Sequence, residues 1–300
     1  MTSAVSDKFV RRYHRSNAAR GDAIVYELTQ RGFFSEVNNA LNVVLFGAVR
    51  GRRVLLGETM SGGIHWSDLF ERAPDMWADV PNVKVDADWD LSHPKQPNFR
   101  QVRETVRRWH SLHRPVLCWG LGLVGSVFSA KRTLAGAFCR SAHPPPEIAG
   151  LHAPYAAVHV RRGDKLGQIV NGRHVVEGDD TPVTRYLELL AARAPDIRSA
   201  FVMTDDYAVV DEFRRRAPRI RFDTFCDPAA AGHVEGAFNS LPVSEKVSQI
   251  RLLIAETEIA ARSSVFIGCY RSNVSRFVAL VHNSPSRCIS ADSQKSWHPG

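Results

Sequence analysis

The run Tyr155-Ala-Ala-Val-His-Val160 passes without a break into Arg161-Arg-Gly-Asp-Lys165. Its first part has too few polar groups to face water on either side, which predicts a central parallel strand covered by helices. His159, Arg161, Arg162, Asp164 and Lys165 then fall at the carboxyl end of that strand. In open α/β sheets, ligands bind in the crevice outside the carboxyl ends, so charge gathered there is more informative than the same charge on a helix. The alternative is a solvated loop after a strand.

A chain of 300 residues with 44% hydrophobic content can bury one large core or, more often, two. The 16 prolines and 20 glycines are spread along it, with no repeat and no low-complexity tract, as in an ordinary globular protein. A net charge of +8 favours an anionic partner: nucleic acid, an anionic membrane surface or a phosphorylated small molecule. Cys118, Cys139, Cys226, Cys269 and Cys288 are odd in number, widely spaced and set mostly in apolar surroundings. Reduced, buried thiols are expected, not a disulfide framework. The histidines do not join them at zinc-ligand spacing, so no metal is expected. Met1 to Arg20 is polar and rich in arginine, and no stretch reaches about eighteen apolar residues, so neither a secretion signal nor a membrane span is expected.

From the start, Ile24–Leu28 reads as a first strand and Gly32 as part of the turn after it. From Glu36, the apolar residues Val37, Leu41, Val44, Leu45 and Ala48 recur on one helical face, with Ser35 placed to cap the start and Gly51 to follow the end. Arg53 to Gly57 then closes a βαβ unit whose loop, 32–36, faces a crevice. Glu36, Asn38 and Asn39 are polar groups at that helix N-terminus. For Glu36 the two readings are a role toward a ligand and simple stabilisation of the helix dipole. Between 62 and 97 the sequence is irregular, and Trp66, Trp77 and Trp89 read as packing before they read as a binding platform. Residues 99–113 form an amphipathic basic helix with Arg103, Arg107 and Arg108 on a solvated face. An apolar helix is expected from Leu121 to Phe138. Pro144, Pro145 and Pro146 mark the best domain boundary, between an N-terminal acceptor-side domain, 1–145, and a C-terminal domain, 146–300.

The second half repeats the α/β rhythm. A helix is expected from Val183 to Ala194, and the strand Ala200–Met203 ends in Thr204, Asp205 and Asp206 before a helix at Tyr207–Arg216. Arg219–Phe225 alternates as a strand should. On the helix Ser244–Arg262, the polar side holds Arg251, Glu258 and Arg262, while Glu256 falls opposite among Leu252, Leu253 and Ala260. A buried carboxylate without donors costs several kcal/mol, so Glu256 is expected to meet either a protein arginine or the ring N–H groups of a ligand. Val265–Cys269 delivers Tyr270, Arg271, Ser272 and Asn273 to the same edge. Ser272, Asn273 and Val274 offer a hydroxyl and backbone N–H groups at a helix start to a phosphate. There is no Walker lysine pattern and no G-x-G-x-x-G. A sugar nucleotide fits this crevice best.

The same residues carry a resemblance. His159-Val-Arg-Arg-Gly-Asp-Lys165, Met203-Thr-Asp-Asp206, and Glu256 with Tyr270-Arg-Ser-Asn-Val-Ser-Arg276 resemble, in order, the motifs of the GDP-fucose fucosyltransferases, above all the alpha-1,6 type and its rhizobial nodulation relatives. The likeness covers residues 155–280 and reaches the first half mainly through 32–56. It implies an α/β protein of the GT-B fold, two Rossmann-like domains facing a central cleft, with GDP held by the C-terminal one. It further implies GDP-fucose as donor, a carbohydrate or other hydroxyl acceptor, inversion at the fucose anomeric carbon, and no metal or other cofactor.

Within the resemblance Arg161 matches the diphosphate clamp and a catalytic position. His159 and Glu256 match positions that contact guanine, although most members have aspartate where Glu256 stands. Ser272, Asn273 and Val274 match the phosphate-binding turn, and Asp205 and Asp206 a supporting carboxylate pair. The base of the alpha-1,6 enzymes does not transfer, because the place of their glutamate, eight residues after the critical arginine, is Ile169. Glu177 in the following loop is one substitute. Glu36-Val-Asn-Asn39 resembles the glutamate and asparagine pattern of the protein O-fucosyltransferases, whose glutamate deprotonates the acceptor, and Glu36 is the preferred base with Asn39 on the nucleotide-sugar side. The SH3-like domain and coiled coil of animal alpha-1,6 enzymes are not recognisable, which favours a compact, cytoplasmic enzyme of bacterial type over a trimmed catalytic domain of a Golgi enzyme.

Three readings compete. Arg162-Gly163-Asp164 as an adhesion ligand needs an exposed flexible loop, yet it abuts a buried strand. A basic nucleic-acid-binding protein needs cations gathered on one face with interleaved aromatics, whereas the arginines are dispersed. A GT-B transferase using a different nucleotide sugar would keep most of the same crevice.

Overall fold

Parallel strand pairing organises both halves of the chain. A computed structural model describes residues 3–28, 32–57, 59–60, 63–77, 85–90, 97–148, 151–163, 168–170, 173–175 and 181–293. These fall into two units, Met1–His143 with Val243–Ile250, and Pro144–Pro242 with Arg251–His298.

In the first unit helix α1 (Ser3–Ala18) precedes strand β1 (Ala23–Tyr26), helix α2 (Phe33–Arg50) and strand β2 (Arg53–Leu56). β1 and β2 pair in parallel from Ala23 and Arg53 to Tyr26 and Leu56, so the expected βαβ unit is present. A small hairpin of β3 (Thr59–Met60) and β4 (Ile64–His65) follows, and β5 (Val85–Asp90) then pairs with the other side of β1. α2 lies so close to β2 that a Cβ at Gly47 would come within 2.1 Å of Val54 Cγ2. The helix ends, as expected, at Gly51, whose φ of 69° suits a residue without a side chain. It begins at Phe33 with Gly32 as N-cap, not at Glu36 with Ser35, because the buried Phe33 and Phe34 carry the apolar face back into the core.

Helix α3 (Pro97–Ser111) buries Val102 and Val106 and exposes Arg107 and Arg108. The expected helix from Leu121 to Phe138 is instead a hairpin and a shorter helix. Strands β6 (Val116–Cys118) and β7 (Leu123–Gly125) pair antiparallel around a single helical turn, Trp119–Leu121, before helix α4 (Val127–Phe138). Gly122 at φ 69° and Gly125 at φ 124° turn the chain out of the helical region, and Ser126 caps α4 by accepting from the Ser129 N–H at 3.1 Å. Trp66 is buried as expected, while Trp77 is exposed and the Trp89 side chain lies outside the described residues.

The second unit contains strand β8 (Ala156–Val160), a hairpin of β9 (Gln168–Val170) and β10 (Arg173–Val175), helix α5 (Val183–Arg193), strand β11 (Ser199–Thr204), helix α6 (Tyr207–Arg216) and strand β12 (Arg221–Asp223). It continues with α7 (Glu235–Asn239), the part of α8 (Val243–Arg262) from Arg251 on, β13 (Val265–Gly268), α9 (Asn273–Val281) and β14 (Cys288–Ser290). Five strands form one sheet in the order β12-β11-β8-β13-β14, each pair parallel, with β8 buried at the centre as its composition demands. β12 is shorter than the alternation at 219–225 suggests, since Thr224 Oγ1 accepts from the Cys226 N–H and turns the chain away.

In the first unit, among the described residues, the outer side of β2 meets only an isolated parallel bridge, Leu56 to Met76, and not a further strand. The exposed ladder positions are closed by other means. Asn17 of α1, fully buried, donates from Nδ2 to the Val54 carbonyl at 2.7 Å and accepts from the Val54 N–H at 2.9 Å, while the Asp75 carbonyl and the Trp77 N–H serve Leu56. Asn17→Ala leaves both Val54 groups buried without partners, at about 1–3 kcal/mol each. The expected outcome is a loss of about 2–6 kcal/mol in urea unfolding; a change within experimental error would show that water serves Val54 instead.

Candidate functional site

From β8 the chain moves outward through β11 to β12, then returns to the other side of β8 with β13 and β14. The strand order reverses between β8 and β13, and at such a switch the connections leave a crevice above the carboxyl ends. His159, the fourth residue of β8, is buried there. Its Nδ1 lies 2.6 Å from Oγ of Ser275, a fully buried residue in the first turn of α9. Gly268 at the end of β13 makes that contact possible, because a Cβ there would fall 2.5 Å from Ser275 Oγ. Burial, with help from the Arg161 charge and against the pull of Asp205, pushes the His159 pKa down to about 4, so the imidazole is neutral at neutral pH. Arg161, the first residue after β8, is half-buried.

Asp205 and Asp206 sit together at the end of β11 but do different work. Asp205 accepts from the Arg162 N–H at 2.8 Å and the His233 N–H at 3.1 Å, and its carbonyl accepts from the Gly232 N–H at 2.8 Å. One residue therefore ties the loop after β8 to the loop after β12. The two loops meet at glycines: a Cβ on Gly163 (φ 59°) would lie 2.5 Å from the His233 backbone, and one on Gly232 (φ 102°) 2.7 Å from Gly163 Cα. Asp206 instead caps α6, accepting from the Ala208 N–H at 3.0 Å.

Glu256 of α8 faces inward, as its place on the helical wheel predicts, whereas Leu252 is exposed. It is buried, yet its carboxyl accepts no hydrogen bond from a described residue and no described arginine or lysine pairs with it. Of its two expected partners, the protein arginine is therefore not found among the described residues. Burial first, and then the nearby Asp205 charge, push its pKa up to about 8. The same acids, after burial, raise the half-buried Cys226 thiol to about 11.

Tyr270 to Val274 complete the edge. Asp292 accepts from the Tyr270 N–H at 2.6 Å and the Arg271 N–H at 3.3 Å, and Arg276 donates to the Tyr270 carbonyl at 2.7 Å with its guanidinium 4.8 Å from the ring centre. Ser272 is the N-cap of α9 and accepts from the Ser275 N–H, so its acceptor capacity is partly spent on the helix. Asn273 and Val274 are the first residues of that helix.

In the other unit Glu36 is fully buried in the first turn of α2 and accepts from the Tyr26 hydroxyl at 3.1 Å. Asn39, nearly a turn further, is buried, and its Nδ2 has no hydrogen-bond partner among the described residues. Asp164, Lys165 and Glu177 lie outside the described residues. Cys139 and Cys288 are buried, but Cys118, Cys226 and Cys269 are half-buried, and all are free thiols. No cluster of His, Cys, Asp or Glu that could hold a metal occurs among the described residues, and no described helix is long and apolar enough to cross a membrane. Ser275, Gly232 and Asp292 are contributions that sequence reasoning missed. Gly163 was legible only as part of a tripeptide, since its close approach depends on a loop seventy residues away.

No protein-family model and no curated protein matches the chain. Among solved structures it is similar to POFUT1 in complex with GDP, at 13% identity over 90% of this chain and 98% of that chain, TM-score 0.47. It is also similar to fucosyltransferase NodZ from Bradyrhizobium, at 14% identity over 88% and 94%, TM-score 0.45, and to a mutant FUT1 from Arabidopsis thaliana in complex with GDP, at 8% identity over 94% and 73%, TM-score 0.45.

A carboxyl held at about 8 in the fold and near 4.3 when unfolded keeps a proton that unfolding releases between those values. Its stabilising contribution is complete below the lower value and is lost as pH rises through the upper one. Glu256→Gln removes this dependence, so the variant is expected to melt at progressively higher temperature than the wild type from about pH 5 to 8, with the gap constant above about 9. A gap that stays flat with pH in thermal melts would place the Glu256 pKa in the ordinary range.

Proposed function

We propose that this chain is a metal-independent glycosyltransferase of GT-B architecture that moves fucose from GDP-fucose to a hydroxyl of a carbohydrate acceptor with inversion. In this reading residues 1–145 and 146–300 are its two Rossmann-like domains, and the second holds GDP. The observation that carries the reading is Glu256: a buried acid at the carboxyl edge of the sheet, with no protein donor among the described residues. Guanine presents adjacent N1–H and N2–H donors that match the two oxygens of a carboxylate. Adenine has an acceptor at N1, and uracil has one ring donor, so the acid favours guanine over both.

The remaining roles follow from position. Arg161 clamps the diphosphate, where a planar guanidinium binds two oxygens and gains strength as GDP departs and the sugar becomes oxocarbenium-like. The Asp205 clamp on the Arg162 N–H fixes the backbone beside it. Neutral His159 packs at the base, and the first N–H groups of α9, at Asn273 and Val274 behind Ser272, meet phosphate. Asp206 supports the site by starting α6. Glu36 is the candidate for removing the acceptor proton, with Asn39 Nδ2 available to the donor sugar; because Glu36 is fully buried against Tyr26, that role requires the start of α2 to open. Nucleotide-sugar use with another base is the second reading, favoured if the Glu256 position admits a single donor.

Titration calorimetry with GDP, ADP and UDP in EDTA tests this. GDP is expected to bind at about micromolar Kd, more tightly than the other two, and Arg161→Ala to weaken it by at least about tenfold. Glu256 must lose its proton to accept from guanine, so binding below pH 8 releases a proton and affinity rises with pH to a plateau above about 8. Folded wild type that ignores GDP overturns the reading.

A further inference from the structure

An antiparallel strand pair lying on a core usually presents one polar face to water. The β6–β7 hairpin does not. Its inner side is anchored by the buried Val116 and Leu123 and by the Cys118 thiol, 3.4 Å from the Ala48 carbonyl. Its outer side carries Leu117 and Val124, directly opposed across the ladder and 52% and 45% exposed. Trp119, at the turn between the strands, is 75% exposed. Three large, exposed apolar side chains on one small hairpin are a patch that water alone does not explain.

Beside the turn lies a row of cations. α1 packs on Trp119–Leu121, and the Arg12 guanidinium approaches to within 3.1 Å of where a Cβ on Gly122 would stand. Lys8, Arg11, Arg12 and Arg15 recur at the spacing of one helical face, and all are exposed. The opposite face of α1 is the buried one, with Phe9 and Tyr13 set edge-on against Phe138. The acid of the described part of α1, Asp7, is paired with Arg72 and does not offset the row.

We propose that the β6–β7 hairpin and the cationic face of α1 form a docking surface for an anionic lipid bilayer. Trp119, Leu117 and Val124 enter the headgroup boundary, where an indole is favoured, and the cations of α1 meet lipid phosphates at the same level. Aliphatic Leu117 and Val124 have no flat face on which a base could stack, which argues against nucleic acid. A second copy of the chain would bring the same cations together and be repelled. This surface does not depend on the nucleotide assignment, and its test reads no nucleotide.

Flotation of the full chain with phosphatidylcholine vesicles, and with vesicles containing about one third phosphatidylglycerol, tests it alongside Trp119→Ser and the double variant Lys8→Glu, Arg11→Glu. Wild type is expected to float with the anionic vesicles and not with the neutral ones. Trp119→Ser is expected to bind at least about tenfold more weakly, and the double variant about fivefold more weakly per cation removed, each with an unchanged thermal melt. Wild type that stays off anionic vesicles overturns the proposal. So does Trp119→Ser binding like wild type, release from vesicles by single-stranded DNA whose own binding is lost in both variants, or a concentration-dependent dimer that Trp119→Ser abolishes.

Discussion

A strand buried on both faces can place polar groups only at its ends, and β8 meets that constraint with almost no exception. Ala156 to Val160 are all buried, flanked in parallel by β11 and β13, so every charge in this part of the chain is pushed to the carboxyl edge. His159 is the one polar side chain inside the strand. It is tolerated because Ser275 meets its Nδ1 and because burial and the Arg161 charge keep it neutral. The edge is therefore crowded with groups whose ionisation is shifted first by burial and then by one another's charges.

Asp205 is the hinge of that arrangement. By accepting from backbone N–H groups on two loops it fixes a carboxyl group in a confined place, close to Glu256 and Cys226. Glu256 and Cys226 both have their ionised forms disfavoured by burial and by Asp205. In the proposed reading, an acid kept protonated until it meets a pair of N–H donors discriminates among bases, because only the right edge repays the loss of its proton. The structural cost and the proposed selectivity thus share one cause, a carboxyl group buried beside another carboxylate.

The first unit solves a different problem, that of edges. Among the described residues β2 has a strand on one side, and its outer N–H and C=O groups are closed by the Asn17 amide and by the 75–77 backbone. Asn17 can do this because Phe9 and Tyr13, on the same helix, hold α1 against Phe138. That docking also turns the basic face of α1 outward beside the β6–β7 turn. The polar closure of a sheet edge and the exposed cation row are consequences of one helix orientation.

Local pattern was enough for much of this. The burial of β8, the periodicity of α2 and its glycine stop, the βαβ unit, and the inward position of Glu256 all follow from short-range regularities, because side-chain direction repeats every two residues in a strand and every 3.6 in a helix. The motifs that carry the resemblance lie at the carboxyl ends of β8, β11 and β13 and on α8. What the pattern could not resolve was whether an apolar run is helix or hairpin: Leu121–Phe138 has the composition of a helix, and the positive φ at Gly122 and Gly125 breaks it. Nor could it supply partners. Ser275 lies 116 residues from His159, and Asp292 and Gly232 come from segments with no local mark of their purpose. The sequence by itself determined which segments are buried and where their polar ends fall, since burial is a property of a few consecutive side chains. Only the tertiary structure decided which polar ends meet, since a hydrogen bond or an opposed pair of glycines is a relation between distant residues that exists only once the sheet has brought them together.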